Sequence, residues 1–118
     1  MKIPEQAKRV SKGVIFEIYQ WEQKLYDGSH TTFEMTKRQS SVEAIVIQNN
    51  KIIFALEEQP LKGKYYSLFG GKQEEGETPL EAAQRELLEE AGLVSDDWEL
   101  FRMYDTTAKM EWLNYIYI

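Results

Sequence analysis

The sequence contains no cysteine, which excludes a disulfide framework and thiolate chemistry. It has no apolar run near the length of a membrane span. The leading stretch MKIPEQAKRVSKG lacks the apolar core of a secretory signal. A cytoplasmic protein with no membrane partner is the expectation. Positive charge is also scarce: 14 Lys and Arg stand against 20 Asp and Glu, a net charge of −6. That balance disfavours polymeric nucleic acid, which is bound by neutralising phosphates. It still allows a small anionic ligand that arrives with metal cations. The lone histidine, His30, falls beside a predicted turn tip and is expected to be exposed. There is no internal repeat and no low-complexity segment.

What remains is an ordinary globular balance. The 118 residues are 42% hydrophobic, 29% charged and 13% aromatic, enough for one domain with a core. The chain reads as strands around one strong helix. GVIFEIYQWEQ (13–23) and TTFEMTKRQ (31–39) flank Asp27-Gly28 and predict a β-hairpin. VEAIVIQ (42–48) reads as a buried strand, and Asn49-Asn50 turns it into KIIFALEE (51–58). PLKGK (60–64) is loop, and YYSLF (65–69) is a short strand ending at Gly70-Gly71. WELFRMYDTT (98–107) and EWLNYIYI (111–118) are two further strands. Trp98 and Trp112 are expected in core or edge packing.

The helix is the best-defined element. Thr78 is a good N-cap, Pro79 suits the first helical position, and Glu81 completes a T-x-x-E capping box. Gly92 fits a left-handed stop. Leu80, Ala83, Leu87 and Ala91 form one apolar face, while Glu86, Glu89 and Glu90 share another. Ala82 lies one turn before Glu86, where its small size allows close approach. Two carboxylates about 4 Å apart repel by roughly 4 kcal/mol near a protein surface. Such a face is either splayed into water or neutralised by a cation. Hard divalent cations such as Mg²⁺ or Mn²⁺ take oxygen ligands and share them with substrate phosphates. An acid-rich helix face is, by itself, more often plain solvated surface.

The spacing around this face is specific. Gly71, Glu77, Arg85, Glu86, Leu87, Glu89, Glu90, Gly92 and Leu93 match every fixed position of G-x5-E-x7-R-E-U-x-E-E-x-G-U, with U a bulky aliphatic. This is the Nudix box, and the chain resembles the Nudix hydrolases. The resemblance implies an α/β fold, an α/β/α sandwich with a mixed central sheet preceded here by an N-terminal β-hairpin. One domain over 1–118 is expected, with the hairpin at 13–39 and the box at 71–93. The implied activity is hydrolysis of a nucleoside diphosphate linked to another moiety, with Mg²⁺ or Mn²⁺. Glu86, Glu89, Glu90 and the Gly70 carbonyl would be metal ligands, and Glu77 would pair with Arg85 to hold the loop against the helix.

YDGSHTTFEMTKRQSSVEAIVI, ahead of the box, is similar to the ADP-ribose and nucleotide-sugar pyrophosphatases. That similarity implies a homodimer through the N-terminal strands. It also implies Arg38 reaching the diphosphate, with Trp21 toward the base or simply packed in the hairpin. Phe69 and Pro60 depart from that branch, and no proline follows Pro79. Tyr65 and Tyr66 are candidates for the pocket mouth. Such domains usually continue with more sheet, an acidic loop and a closing helix, so the general base is expected beyond Ile118. A (d)NTP pyrophosphatase of the same family, a non-catalytic nucleotide-binding module and a structural domain with surface glutamates stay open as alternatives.

Overall fold

The computed structural model describes residues 2–105 and 108–118. Its elements in chain order are β1 (Lys8–Lys12), β2 (Phe16–Lys24), β3 (His30–Arg38), β4 (Ser41–Ala44), β5 (Val46–Gln48), β6 (Lys51–Ile53), β7 (Ala55–Gln59), β8 (Gly63–Ser67), β9 (Phe69–Lys72), α1 (Pro79–Ala91), β10 (Leu100–Asp105), β11 (Met110–Glu111) and β12 (Leu113–Tyr117). The expected strand at 98–107 is thus formed from Leu100, and its last residues, Thr106 and Thr107, lie outside the described residues. Among the described residues no helix is long and apolar enough to cross a membrane. The chain divides into two compact units, Met1–Gln39 with Asp105–Leu113, and Ser40–Tyr104 with Asn114–Ile118.

The first unit is a sheet in the order β1-β2-β3-β11. The predicted hairpin is its centre, with β2 and β3 antiparallel from Phe16↔Arg38 to Lys24↔His30. Gly28 takes φ +89° in the turn, and the Asp27 carboxylate accepts from the Ser29 N–H at 2.9 Å and its hydroxyl at 2.6 Å. This is the local hydrogen bonding that makes Asx-Gly a turn signal. Strand β1 was not foreseen: all five residues of KRVSK are exposed, so the edge strand carries no buried alternation to read. Glu111 is 7% exposed and ties down the N-terminal segment. One of its oxygens accepts from the backbone N–H groups of Lys2 at 3.0 Å and Ile3 at 3.4 Å, and Lys37 stands 3.5 Å from the other. A buried carboxylate needs such partners. Lys2 also pairs with Asp105 at 2.9 Å.

The second unit holds a mixed sheet in the order β10-β12-β4-β9, with β12 parallel and β9 antiparallel to β4. Val42 of β4, Ala82 and Ala83 of α1 and Tyr117 of β12 form the buried cluster, joined by Leu80, Trp98 and Tyr115. Four runs read as single strands are split. Residues 65–69 divide at Leu68 between β8, which begins at Gly63 inside the expected loop, and β9; residues 111–118 divide at Trp112 between β11 and β12, which pair in different sheets. The two apolar runs before them divide likewise. Residues 42–48 divide at Ile45, whose N–H donates to Tyr117 O at 2.7 Å, so β4 stays in the mixed sheet while β5 pairs only with β6. Burial follows pairing: Val42 is 1% exposed but Ile47 56%. The run 51–58 divides at Phe54, and β7 pairs with β8. Asn49 and Asn50 both take positive φ, 52° and 61°, as a two-residue hairpin turn requires.

Helix α1 has the termini its sequence predicts. The Thr78 hydroxyl accepts from Glu81 N–H at 3.1 Å, the Glu81 carboxylate accepts from Thr78 N–H at 3.2 Å, and Gly92 is left-handed at φ 67°. Ala82, on the glutamate side, is fully buried: what its small size admits is the sheet. This one helix carries the box, so its register fixes where the glutamates stand. Replacing Thr78 by Ala removes one half of the reciprocal cap and is expected to cost about 1 kcal/mol, measured by urea denaturation.

Candidate functional site

The box assembles where β9 meets α1. Gly70 and Gly71 lie on β9, opposite Glu43 and Val42 of β4. A Cβ on Gly70 would fall 2.1 Å from the Val42 carbonyl oxygen, and one on Gly71 would fall 2.5 Å from the Glu86 carboxylate. Gly70 is therefore needed for close approach to the backbone of the neighbouring strand, while Gly71 leaves the Glu86 carboxylate where it stands; a side chain there would displace it. The Gly70 N–H donates to Glu90 Oε1 at 2.9 Å, so the strand end and the last turn of α1 are directly bonded.

Arg85 organises the acidic side chains. Its Nε and Nη2 grip Glu77 in a two-pronged contact of 3.1 and 2.7 Å. Nη2 also reaches the Lys72 carbonyl at 3.0 Å. Nη1 donates to Glu86 at 2.9 Å and to Glu89 at 3.4 Å. Glu77 in turn accepts from Glu74 N–H at 2.8 Å, and its own carbonyl accepts from the Gln73 side chain at 2.6 Å. The expected Glu77–Arg85 pair is present and closes the loop onto the helix. Its charge-assisted geometry raises the Arg85 pKa further and holds the Glu77 carboxyl below the usual range, chiefly through the arginine hydrogen bond.

The three helix glutamates are not equivalent. Glu86 is only 15% exposed in its side chain and Glu89 58%. Glu90 has a raised pKa: burial is the largest cause, opposed by the Gly70 N–H and reinforced by the adjacent Glu86 carboxylate and by Glu57. Glu86 and Glu90 thus stand side by side against the glycine strand, while Glu89 leans toward Arg85 and solvent. Acidic groups at this end of a helix also oppose its dipole, and no basic residue occupies the last turn. Such an arrangement is unfavourable for the apo fold and favourable for a cation. Among the described residues no three acidic, imidazole or thiol groups gather tightly enough to hold a metal ion unaided. Two adjacent hard carboxylates are the donor type that Mg²⁺ or Mn²⁺ takes, since these ions commonly use one or two carboxylates and complete their shell with water and substrate oxygens.

Glu57, on β7, was not singled out from the sequence. Its cross-strand partner is Tyr65, whose hydroxyl hydrogen-bonds to it and is pushed up in pKa as a result. Within ALEEQ it looks like any strand carboxylate; only the folding of the β7–β8 hairpin brings its charge to bear on Glu90. Arg38 and Trp21 belong to the first unit. Trp21 packs edge-on against Phe33, its cross-strand partner, at 6.0 Å and donates to Gln23 at 3.1 Å. It also borders a groove of about 470 Å³ with Gln6, Lys8 and Val10. The Arg38 guanidinium lies 4.2 Å from the Trp112 ring centroid.

The Glu77–Arg85 clamp should be visible in pH dependence. A depressed folded pKa contributes stability that is complete above the ordinary glutamate value of about 4.3 and is lost as pH falls through the folded value. The Tm gap between wild type and Glu77→Gln is expected to be widest near neutrality and to narrow on acidification below about pH 4.3. A gap that stays constant down to pH 2 contradicts this assignment.

Comparison with known proteins bears on the family and the fold. The NUDIX domain family model matches residues 37–118. A Danio rerio protein named oxidized purine nucleoside triphosphate hydrolase is 38% identical over 52 residues, covering 44% of this chain and 33% of that protein. A crystal structure of an ADP compounds hydrolase superposes with a TM-score of 0.75 at 19% identity, over 96% of this chain and 63% of the other. The chain thus spans about a third of the length of that curated relative. The structural likeness establishes the fold, mixed sheets with one helix among the described residues. With the family model covering well over half of the sequence, and the box residues gathered as described, the chain belongs to the Nudix family.

Proposed function

We propose that this protein is a divalent-metal-dependent hydrolase of a nucleoside diphosphate linked to another moiety, with ADP-ribose or a nucleotide sugar as substrate. The observation that carries the reading is the Glu86–Glu90 pair, held against bare glycine backbone with Glu90 pushed toward its protonated form. A structural helix gains nothing from that repulsion. Glu86 and Glu90 would hold Mg²⁺ or Mn²⁺, with Glu89 and the Gly70 carbonyl as the further ligands the family resemblance implies. When bound, such a cation neutralises diphosphate charge and lowers the pKa of an attacking water. Arg85 and Glu77 act by position: they fix the loop and set the orientation of Glu86 and Glu89. Arg38 is assigned to a phosphate and Trp21 to the base.

The likeness to an ADP compounds hydrolase supports the nucleoside diphosphate class. The Danio rerio relative supports a second reading, pyrophosphohydrolysis of a nucleoside triphosphate. The same proposal treats the chain as a single Nudix domain in the cytoplasm. It also makes the protein a homodimer through the N-terminal hairpin, where Val14 is 97% exposed and Ile15 and Phe16 are exposed beside it.

A screen of ADP-ribose, nucleotide sugars, dinucleoside polyphosphates and NTPs with Mg²⁺ or Mn²⁺ separates the readings by their products. Glu89→Gln and Glu90→Gln are expected to abolish most turnover, while Glu90→Gln keeps or raises the Tm of metal-free protein by removing one of two adjacent charges. Unchanged turnover in both variants refutes the metal-site assignment. NTPs cleaved far better than any sugar nucleotide would replace the substrate class by the second reading. Sedimentation is expected to show a dimer; a monomer at high micromolar concentration contradicts the assembly.

A further inference from the structure

Arg38 ends β3 with an aromatic ring on either side. Phe16 of β2 is its antiparallel cross-strand partner, and its ring centroid lies 5.8 Å from the guanidinium carbon. On the other side β11 runs parallel to β3 with Glu111 opposite Lys37, which puts the next residue, Trp112, beside Arg38 with its centroid at 4.2 Å. The Arg38 Nε–H is buried and has no hydrogen-bond partner among the described residues. No carboxylate forms an ion pair with Arg38 among the described residues either, although the chain is strongly acidic.

These features point one way. Aromatic faces attract the flat sides of a guanidinium but take none of its N–H donors, which lie in the guanidinium plane. A buried charged donor left without an acceptor is unfavourable unless something else supplies one. An arginine serving only to staple the sheet would be expected to use its fork on a carboxylate or carbonyl. Here two rings lie against the guanidinium and its Nε–H is left without an acceptor among the described residues. A fork of parallel N–H groups matches the oxygens of a phosphate. Holding it in advance removes the rotamer entropy that binding would otherwise cost.

We propose that Trp112, with Phe16, is a positioning residue that holds the Arg38 guanidinium edge-on for a phosphate oxygen of the ligand. The identity of that ligand as a phosphoanion rests on the function proposed above; the stacked, unpaired arginine does not.

The test is a double-mutant cycle read by calorimetric titration of inorganic pyrophosphate, at low ionic strength with EDTA so that no metal contributes. Arg38→Ala is expected to weaken binding at least tenfold. Trp112→Leu, which keeps apolar bulk but removes the π face, is expected to weaken it about 3- to 30-fold. Trp112→Phe should recover most of the loss. In the Arg38→Ala background, Trp112→Leu should have no further effect on affinity, although it lowers the Tm in both backgrounds. A purely structural tryptophan would shift Tm but weaken both backgrounds equally, and that additivity overturns the proposal. So does pyrophosphate binding that Arg38→Ala leaves unchanged, or no binding by the wild type. Should Trp112→Leu not fold, Phe16→Leu replaces it in the same cycle, with the same non-additivity expected. An intact cycle in a protein that hydrolyses nothing in the substrate screen would refute the proposed function and leave the positioning role standing.

Discussion

The two-pronged contact between Arg85 and Glu77 is the interaction on which the site depends. It joins a residue in the second helical turn to a loop residue that precedes the helix, and through the Lys72 carbonyl it also reaches β9. Loop, strand end and helix are thereby held in one register. The same guanidinium contacts Glu86 and Glu89, so the positions of two helix carboxylates follow from it. Arginine suits this role because its five donors lie in one rigid plane and its charge does not titrate away. Lysine, a point charge on a flexible stem, could not serve four acceptors at once.

Glycine and alanine do the complementary work of letting surfaces approach. Gly70 admits the Val42 carbonyl, Gly71 admits Glu86, and Ala82 and Ala83 seat the helix on Val42 and Tyr117. The consequence is electrostatic. Packing α1 close to β9 and β4 partly desolvates Glu90, which the helical repeat already places beside Glu86. Helix packing and local charge strain are two results of one geometry. The fold accepts an unfavourable carboxylate arrangement at a defined place, and perturbed carboxylates of this kind cluster at functional sites.

Much of this was legible in advance because it is local. A capping box needs residues three apart, a left-handed stop needs one glycine, and a two-residue turn needs residues that tolerate positive φ; Thr78, Glu81, Gly92 and Asn49-Asn50 all behave as their chemistry predicts. The glutamates were legible through the helical repeat. Strand identity was less so. An apolar run such as 42–48 shows that a strand is present, but not that its halves pair with different partners. Strand β1 has no buried face, so nothing in its pattern announced it.

By itself, then, the sequence determined the helix, its caps, the register of its glutamates, the main hairpins and the family, because each rests on spacing within a few residues or on a fixed motif. Tertiary structure alone decided the rest. It separated Glu86 and Glu90 from Glu89, brought the Glu57 charge to bear on Glu90, buried Glu111 against the N-terminal backbone, and set Trp112 on Arg38. These contacts join residues far apart in the chain. Which of many similar carboxylates or aromatics become neighbours depends on strand pairing and helix docking, and no local pattern records that choice.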